Sequence, residues 1–373
     1  MQPEQPTEYE YLATLTDQKD SVLSLSFSPD GKYLAATGYA GVSIWDTGTQ
    51  GLMSVPQLEV SERNVAARSV WISFEGERLI FILGFKCGDV ALWYWDEDQD
   101  AFIHAKRFRF GHEEARLLSM DVYQPSLDKD HPGRLAIATS DNLVTMWAIT
   151  YDLDTIRGFS VPLESSCRPK TIKFDPLAHT LVVFSEFGGS IVRIDCQSGA
   201  RVGARTDGPI IMSSVVVDLI GKRYVAHTGR SLEIVSMAGR PVSRSIPLEQ
   251  ADVPYTMHSA FGEGGKVIIT GTAKGRVLVF DTDNARILQS MDYPRGGLVQ
   301  YVSTCTTDLD HLVAYAGSSL LRPADVLLYR KARAPKTGGD AGSAGGRTCR
   351  GHLLLTAPYW IIMLALLLLQ VFM

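Results

Sequence analysis

A short cassette recurs along this chain, and its period restricts the fold more than any other feature. The first copy is Phe27–Asp46, "FSPDGKYLAATGYAGVSIWD". An alternating run, "SVLSLSF", ends at Phe27, and the turn Pro29-Asp30-Gly31 follows. "KYLAAT" and "VSIWD" then flank a small turn at Ala40-Gly41. Period-two alternation bounded by Pro, Asp and Gly is the pattern of short strands joined by tight turns. The cassette returns at Ile72–Trp93, Ile172–Asp195 and Ser259–Asp281. Its first strand closes on Phe27, Phe74, Phe174 or Phe261. The unit then closes 18 to 20 residues later, on Trp45, Trp93, Ile194 or Phe280. Weaker copies close on Trp147, Val235 and Tyr329, and the third unit carries an insertion around Gln124–Gly133.

These seven closing positions lie 41 to 54 residues apart. Units of that length, each with three or four short strands, predict a β-propeller, because one small sheet cannot bury its own faces and must stack on its neighbours. No helical periodicity in residues 1–330 competes. The seventh unit supplies three strands before the composition changes. The β-rich stretch Glu8–Leu15 is therefore expected to add the missing outer strand and lock the ring, which removes open sheet edges. The predicted fold is all-β: a seven-bladed propeller of four-stranded antiparallel blades, plus one C-terminal transmembrane helix. The corresponding domains are an N-terminal tail (1–7), the propeller (8–330), a flexible basic Gly/Ala-rich linker (331–351) and a membrane anchor (352–373).

At "SIWD" (Ser43–Asp46), and at Gly111-His112 followed by "TSDNLVTMW" (Thr139–Trp147), the chain resembles the WD-repeat β-propeller family. The resemblance covers residues 8–330. It implies a hydrogen-bonded structural tetrad in the third unit, made of His112, Thr139, Asp141 and Trp147. The other units depart from it: Tyr39, Cys87, Gly188, Gly229, Lys274 and Pro323 occupy the Asp slot. Those blades must rely on apolar packing.

Chemistry is hard to find. His112 and Asp141 fit the tetrad better than a catalytic pair, and a fold alone implies no activity. The remaining histidines show no metal-ligand spacing. "GEGG" (Gly262–Gly265) reads as a hairpin turn, because no Gly-Lys-Ser/Thr follows it. Five cysteines without a Cys-x-x-Cys pair fit free thiols. "HAKRFRFGH" (His104–His112) reads as an outer strand with one wet face, and "DEDQD" (Asp96–Asp100) as a solvated loop. No catalytic residue, cofactor or metal is expected.

The net charge is −5, yet residues 331–373 hold Lys331, Arg333, Lys336, Arg347 and Arg350 against Asp340 alone. The preceding body is thus the acidic part, which disfavours nucleic acid as a partner. The final 21 residues, "LLLTAPYWIIMLALLLLQVFM", carry no charge. As a helix they would span roughly 31 Å, about one bilayer core. Leu364 and Leu367 would sit in the hydrocarbon, with Tyr359 and Trp360 at headgroup level. Cys349 is a candidate for palmitoylation.

With the basic residues before the span and no signal-peptide pattern at the start, the expectation is a tail-anchored protein with a cytosolic propeller. The endoplasmic reticulum is favoured over the mitochondrial outer membrane. The expected function is a monomeric, non-enzymatic interaction scaffold. It would bind protein partners of unassigned identity and no small-molecule substrate. The alternative is a membrane-bound guanine-nucleotide exchange factor or other small-GTPase regulator. The overall plan resembles the exchange factors of Sar-type GTPases, but their long first-blade loop is replaced here by the tight "GYAGVS" (Gly38–Ser43).

Overall fold

The computed structural model describes residues 8–59, 61, 64–109, 112–248 and 256–333. Its strands form seven sheets in chain order. β1 (Glu10–Leu15) precedes the first blade, which holds β2 (Val22–Phe27), β3 (Tyr33–Gly38) and β4 (Gly41–Asp46). Blade two holds β5 (Ala66–Phe74), β6 (Arg78–Phe85), β7 (Asp89–Asp96) and β8 (Ala101–Arg109). Blade three holds β9 (Leu117–Val122), β11 (Gly133–Thr139), β12 (Leu143–Ile149) and β13 (Thr155–Pro162), and the insertion between β9 and β11 forms β10 (Ser126–Leu127). Blade four holds β14 (Pro169–Asp175), β15 (Thr180–Ser185), β16 (Ile191–Asp195) and β17 (Arg201–Arg205). Blade five holds β18 (Ser214–Asp218), β19 (Arg223–His227), β20 (Ser231–Ser236) and β21 (Gly239–Pro247). Blade six holds β22 (Ser259–Gly262), β23 (Val267–Gly271), β24 (Arg276–Asp281) and β25 (Ile287–Asp292). Blade seven holds β26 (Tyr301–Thr306), β27 (Asp310–Ala316) and β28 (Val326–Ala332).

The burial pattern explains why these sequences form blades. The second strands are the most deeply buried: β3, β15 and β23 are buried at every position. A strand sandwiched between two neighbouring blades has no wet face, so alternation disappears. The outer strand β17 is exposed at four of its five positions, because nothing packs outside it. The hydrophobic core is accordingly divided. Among the described residues seven apolar clusters occur, each shared by two adjacent blades. The densest in aromatics joins blades one and two. There Phe81 is fully buried, with ring centroids 4.4 Å from Trp71, 5.9 Å from Trp93 and 6.5 Å from Phe102.

Two devices close the ring. First, β1 pairs antiparallel with β28, from Glu10 opposite Arg330 to Leu15 opposite Val326, and completes blade seven. The closure expected of Glu8–Leu15 is therefore present. Second, a belt of hydrogen bonds runs round the inner strands. Ser24 and Ser26 meet Ser69, Arg68 reaches Leu118 O, and Ser119 Oγ accepts from Ile172 N. Thr171 Oγ1 accepts from Val215 N, Ser214 donates to Met257 O, and Thr304 donates to Phe261 O. Val22 N donates to Gly317 O, which completes the circuit between blades seven and one. Inner strands lack a neighbour on their channel side, and these bonds tie them laterally instead.

Two blades depart from four regular strands. After Asp46 the chain makes a single bridge, Leu52 to Trp45, and then leaves blade one. Ser54 pairs with Ala101 of blade two. Pro56 follows, and it has no N–H to continue a ladder. Blade two gains a fifth strand, because β10 pairs in parallel with β5. The insertion in the third repeat thus covers the free inner edge of the second blade.

"HAKRFRFGH" contributes β8, the outer strand of blade two, where Arg107 and Arg109 both hold Asp89 at 2.8 and 2.7 Å. The chain divides after Arg333 into two compact units, and the second, Ala334–Met373, lies outside the described residues. The expected anchor residues Tyr359, Trp360, Leu364 and Leu367, and Cys349, fall there. Among the described residues no helix is long and apolar enough to cross a membrane.

Candidate functional site

Antiparallel connectivity sorts every turn onto one of two faces. Turns from the first to the second strand of a blade, and from the third to the fourth, form the lower face. Turns from the second to the third strand, and the links between blades, form the upper face. The chemistry of the two faces differs.

On the lower face a carboxylate caps the turn after the third strand in blades one, two, four and six, and the hydroxyls of Thr150 and Ser236 do so in blades three and five. Asp46 Oδ1 accepts from Gly48 N and Thr49 N at 3.0 and 2.8 Å. Asp195 Oδ1 accepts from Gln197 N and Ser198 N at 3.1 and 2.7 Å, and the Ser198 hydroxyl, which donates to it at 2.7 Å, together with the backbone bonds holds its carboxyl below the usual range. Asp281 Oδ1 accepts from Asp283 N and Asn284 N, both at 2.9 Å. Short polar side chains at turns satisfy the backbone in this way. The signal is in the sequence, as an Asp directly after the closing Trp45, Ile194 and Phe280. These acids are therefore committed to turns. "DEDQD" lies in the exposed turn after β7, where Asp96 accepts from Gln99 N at 3.0 Å.

On the upper face the inner strands begin, and cations gather at the mouth of the central channel. Lys170 and Arg168 share one carboxylate, Glu186, at 2.9 and 3.3 Å. The Arg68 guanidinium donates to two carbonyls, Ala67 O at 2.7 Å and Leu118 O at 3.2 Å, and meets no carboxylate among the described residues. His258 stacks on Tyr301 at 4.5 Å. Burial holds its ring neutral, well below the ordinary histidine range, and Arg68, Lys170 and His227 add to that effect. His227 is 3% exposed. Its Nδ1 accepts from Gly229 N at 3.1 Å and contacts Ser213 Oγ at 3.0 Å, which leaves the ring proton on Nε2. Burial depresses its pKa to about 4. Two neutral rings beside three permanent cations leave the mouth positive. Sequence reading missed this cluster, because its members come from four blades and no short motif joins them.

The third-blade residues sit near this face. Thr139 is buried and its hydroxyl donates to Asp141 Oδ1 at 2.5 Å. Asp141 itself is exposed at the β11–β12 turn. Trp147 lies in β12, with its ring 5.9 Å from Phe108. His112 is exposed in the link from blade two, where its carbonyl accepts from Ala115 N at 3.0 Å. The structure thus brings Thr139 and Asp141 together in a turn.

A cavity of about 720 Å³ opens on the upper face between blades one, two and three, lined by Lys86, Cys87, Arg109, Glu113, Glu114 and Arg116 among others. A second, of about 410 Å³, lies against the insertion and is lined by Tyr123, Asp128, His131 and Arg134 among others. Among the described residues no group of three His, Cys, Asp or Glu side chains could hold a metal. Burial pushes the Cys196 and Cys305 thiols up to about 11, so neither is a ready nucleophile.

Comparisons with known proteins agree with the architecture. Residues 9–46 match the model of the WD domain, G-beta repeat. No curated protein matches. Among solved structures, the crystal structure of Chaetomium thermophilum Raptor is similar, with a TM-score of 0.69 at 14% identity, over 90% of this chain and 30% of that one. This chain thus spans under a third of that protein. The β-propeller domain of Myceliophteria thermophila Cps50 (Swd1) is similar with a TM-score of 0.64 at 15% identity, over 86% of this chain and 99% of that one. At such identities the likeness is one of fold. The chain is a seven-bladed β-propeller whose ring-closing strand and first blade carry a WD repeat.

Proposed function

We propose that this protein is a non-enzymatic interaction scaffold that presents its propeller on the cytosolic face of a membrane. The observation that carries the scaffold reading is the WD-repeat propeller itself, a ring that seven shared cores make rigid while its loop faces stay available. Its upper face gathers polar groups that the fold leaves accessible around the channel. Thr139 and Asp141 are read as turn architecture, with His112 and Trp147 as the remaining members of a structural set. Membrane placement rests on the uncharged run Leu353–Met373 behind a basic linker. β28 ends on the lower face at Ala332. The endoplasmic reticulum is the preferred membrane, and Cys349 is a candidate for lipidation.

The test is proximity labelling in cells, full length against a chain ending at Lys336, with carbonate extraction of the full-length protein. Partners specific to the full-length chain, and retention in the carbonate pellet, are expected. Release into the supernatant removes the anchor. Absence of any reproducible protein partner for either chain removes the scaffold. For the exchange-factor reading, β3 and β4 are joined by Tyr39 and Ala40 alone, so the first blade offers no long loop there.

A further inference from the structure

The upper face carries a second feature beside its cationic mouth. The β15–β16 turn and the link from blade four to blade five extend each other as a short ladder. Phe187 pairs with Ile211, Gly188 N donates to Ile210 O at 2.8 Å, and Met212 N donates to Glu186 O at 2.9 Å. Gly208 N donates to Gly189 O at 3.0 Å. Gly189 adopts φ +66°, and a Cβ there would lie 2.4 Å from Gly208 O. Only glycine permits this approach, so the ladder is a built ridge. Its crest is apolar: Phe187 is 52% exposed, Ile210 74% and Ile211 42%. Scattered exposed apolar residues are ordinary, but three adjacent on a stiff ridge mark a contact surface.

Charge identifies what the ridge meets. Glu186 lies next to Phe187 in sequence and holds both Arg168 and Lys170. One carboxylate serves two cations there, and Arg68 has only carbonyl partners. A ligand that lies on the ridge and enters the mouth meets apolar carbon first and uncompensated positive charge second. We propose that blades two, four and five take an extended peptide segment in which a carboxylate side chain follows or precedes a bulky aliphatic one. The carboxylate would accept from Arg68 and Lys170, as charge-assisted hydrogen bonds favour. The aliphatic side chain would cover Phe187 and Ile210. This inference rests on the scaffold reading and names its partner class.

The experiment uses full-length protein in detergent micelles on a capture surface. Three synthetic nonapeptide pools are passed over it. Their central residue is fixed as Glu, Ala or Lys, and the flanking positions are randomised among Ala, Ser, Gly and Leu. The Glu pool is expected to be retained about tenfold over the other two, the discrimination that one good charge pair supplies. Sequencing of the retained peptides is expected to show leucine enriched at a flanking position. Arg68→Ala and Lys170→Ala should abolish the preference for Glu and keep that for leucine. Phe187→Ser with Ile210→Ser should do the reverse.

Arg168→Ala, a side chain 58% exposed, serves as a third probe of the charge preference should the Arg68 variant fail to fold. Equal retention of the three pools overturns the proposal. So does a Glu preference that survives the Arg68, Lys170 and Arg168 variants. Binding of phosphatidylserine vesicles through the same side chains, without peptide selection, assigns the site to lipid and also overturns it. In each of these cases the scaffold reading stands or falls separately, on the labelling experiment.

Discussion

His227 should make this propeller acid-labile in a defined window. The ring is buried, its Nδ1 is committed to accepting the Gly229 N–H, and its pKa falls to about 4. In the unfolded chain a histidine titrates near 6.5. Above pH 6.5 neither state binds the proton, and the group costs nothing. Between about 6.5 and 4 the unfolded state binds a proton that the folded state refuses. Folding stability then falls with pH by about 1.4 kcal/mol per unit. Across the window the loss is roughly 3 kcal/mol, and it levels off below pH 4.

The perturbation is His227→Asn, whose amide oxygen can accept the Gly229 N–H and does not titrate. The assay is urea denaturation at pH 7.5, 6.0, 5.0 and 4.5, comparing variant with wild type at each pH. Taking the difference removes the carboxylates and His258, which titrate in both proteins. At pH 7.5 loss of the ring's packing is expected to leave the variant the less stable, and its relative stability should improve steadily below pH 6.5. A difference that stays flat from pH 7.5 to 4.5 refutes the reasoning, as does an NMR titration of the His227 ring near pH 6.5.

Three further outcomes follow from the packing. Gly271→Ala would place a Cβ 2.0 Å from Val299 O, whereas Gly203, exposed in β17, has open space around it. The first should lower stability by about 3 kcal/mol or more, and Gly203→Ala should change it by less than about 1 kcal/mol, both read by urea denaturation. Phe81→Ala empties the centre of the aromatic cluster between blades one and two and should cost about 3–5 kcal/mol by the same measurement. Removal of residues 1–16 takes away β1 and bares the edge of β28. Aggregation in size-exclusion chromatography and faster proteolysis within blade seven are expected, and a monodisperse, protease-resistant product would refute the closure.

The repeat, its period and the closing strand were legible without coordinates. They are local facts: a turn needs Pro29-Asp30-Gly31 or its equivalent, and a strand between two blades needs a run of residues that can all be buried, such as that of β23. The closing Asp46, Asp195 and Asp281 were equally visible, and their meaning as turn caps follows from side-chain chemistry at fixed offsets.

Other features depended on which blades become neighbours. Blade one loses its regular outer strand because Ser54 finds Ala101, and blade two gains β10 because the insertion meets the free edge of β5. Neither pairing has a signal in either segment alone. The cationic mouth and the apolar ridge have the same origin. Arg68, Lys170, His227 and His258 are separated by tens of residues, and only ring closure carries the starts of β5, β14 and β22 and the end of β19 to one opening. Local patterning is set by forces that act over a few residues, so the sequence determined the blades. Sites on a ring are made by contacts between distant segments, so the tertiary structure decided where function can reside.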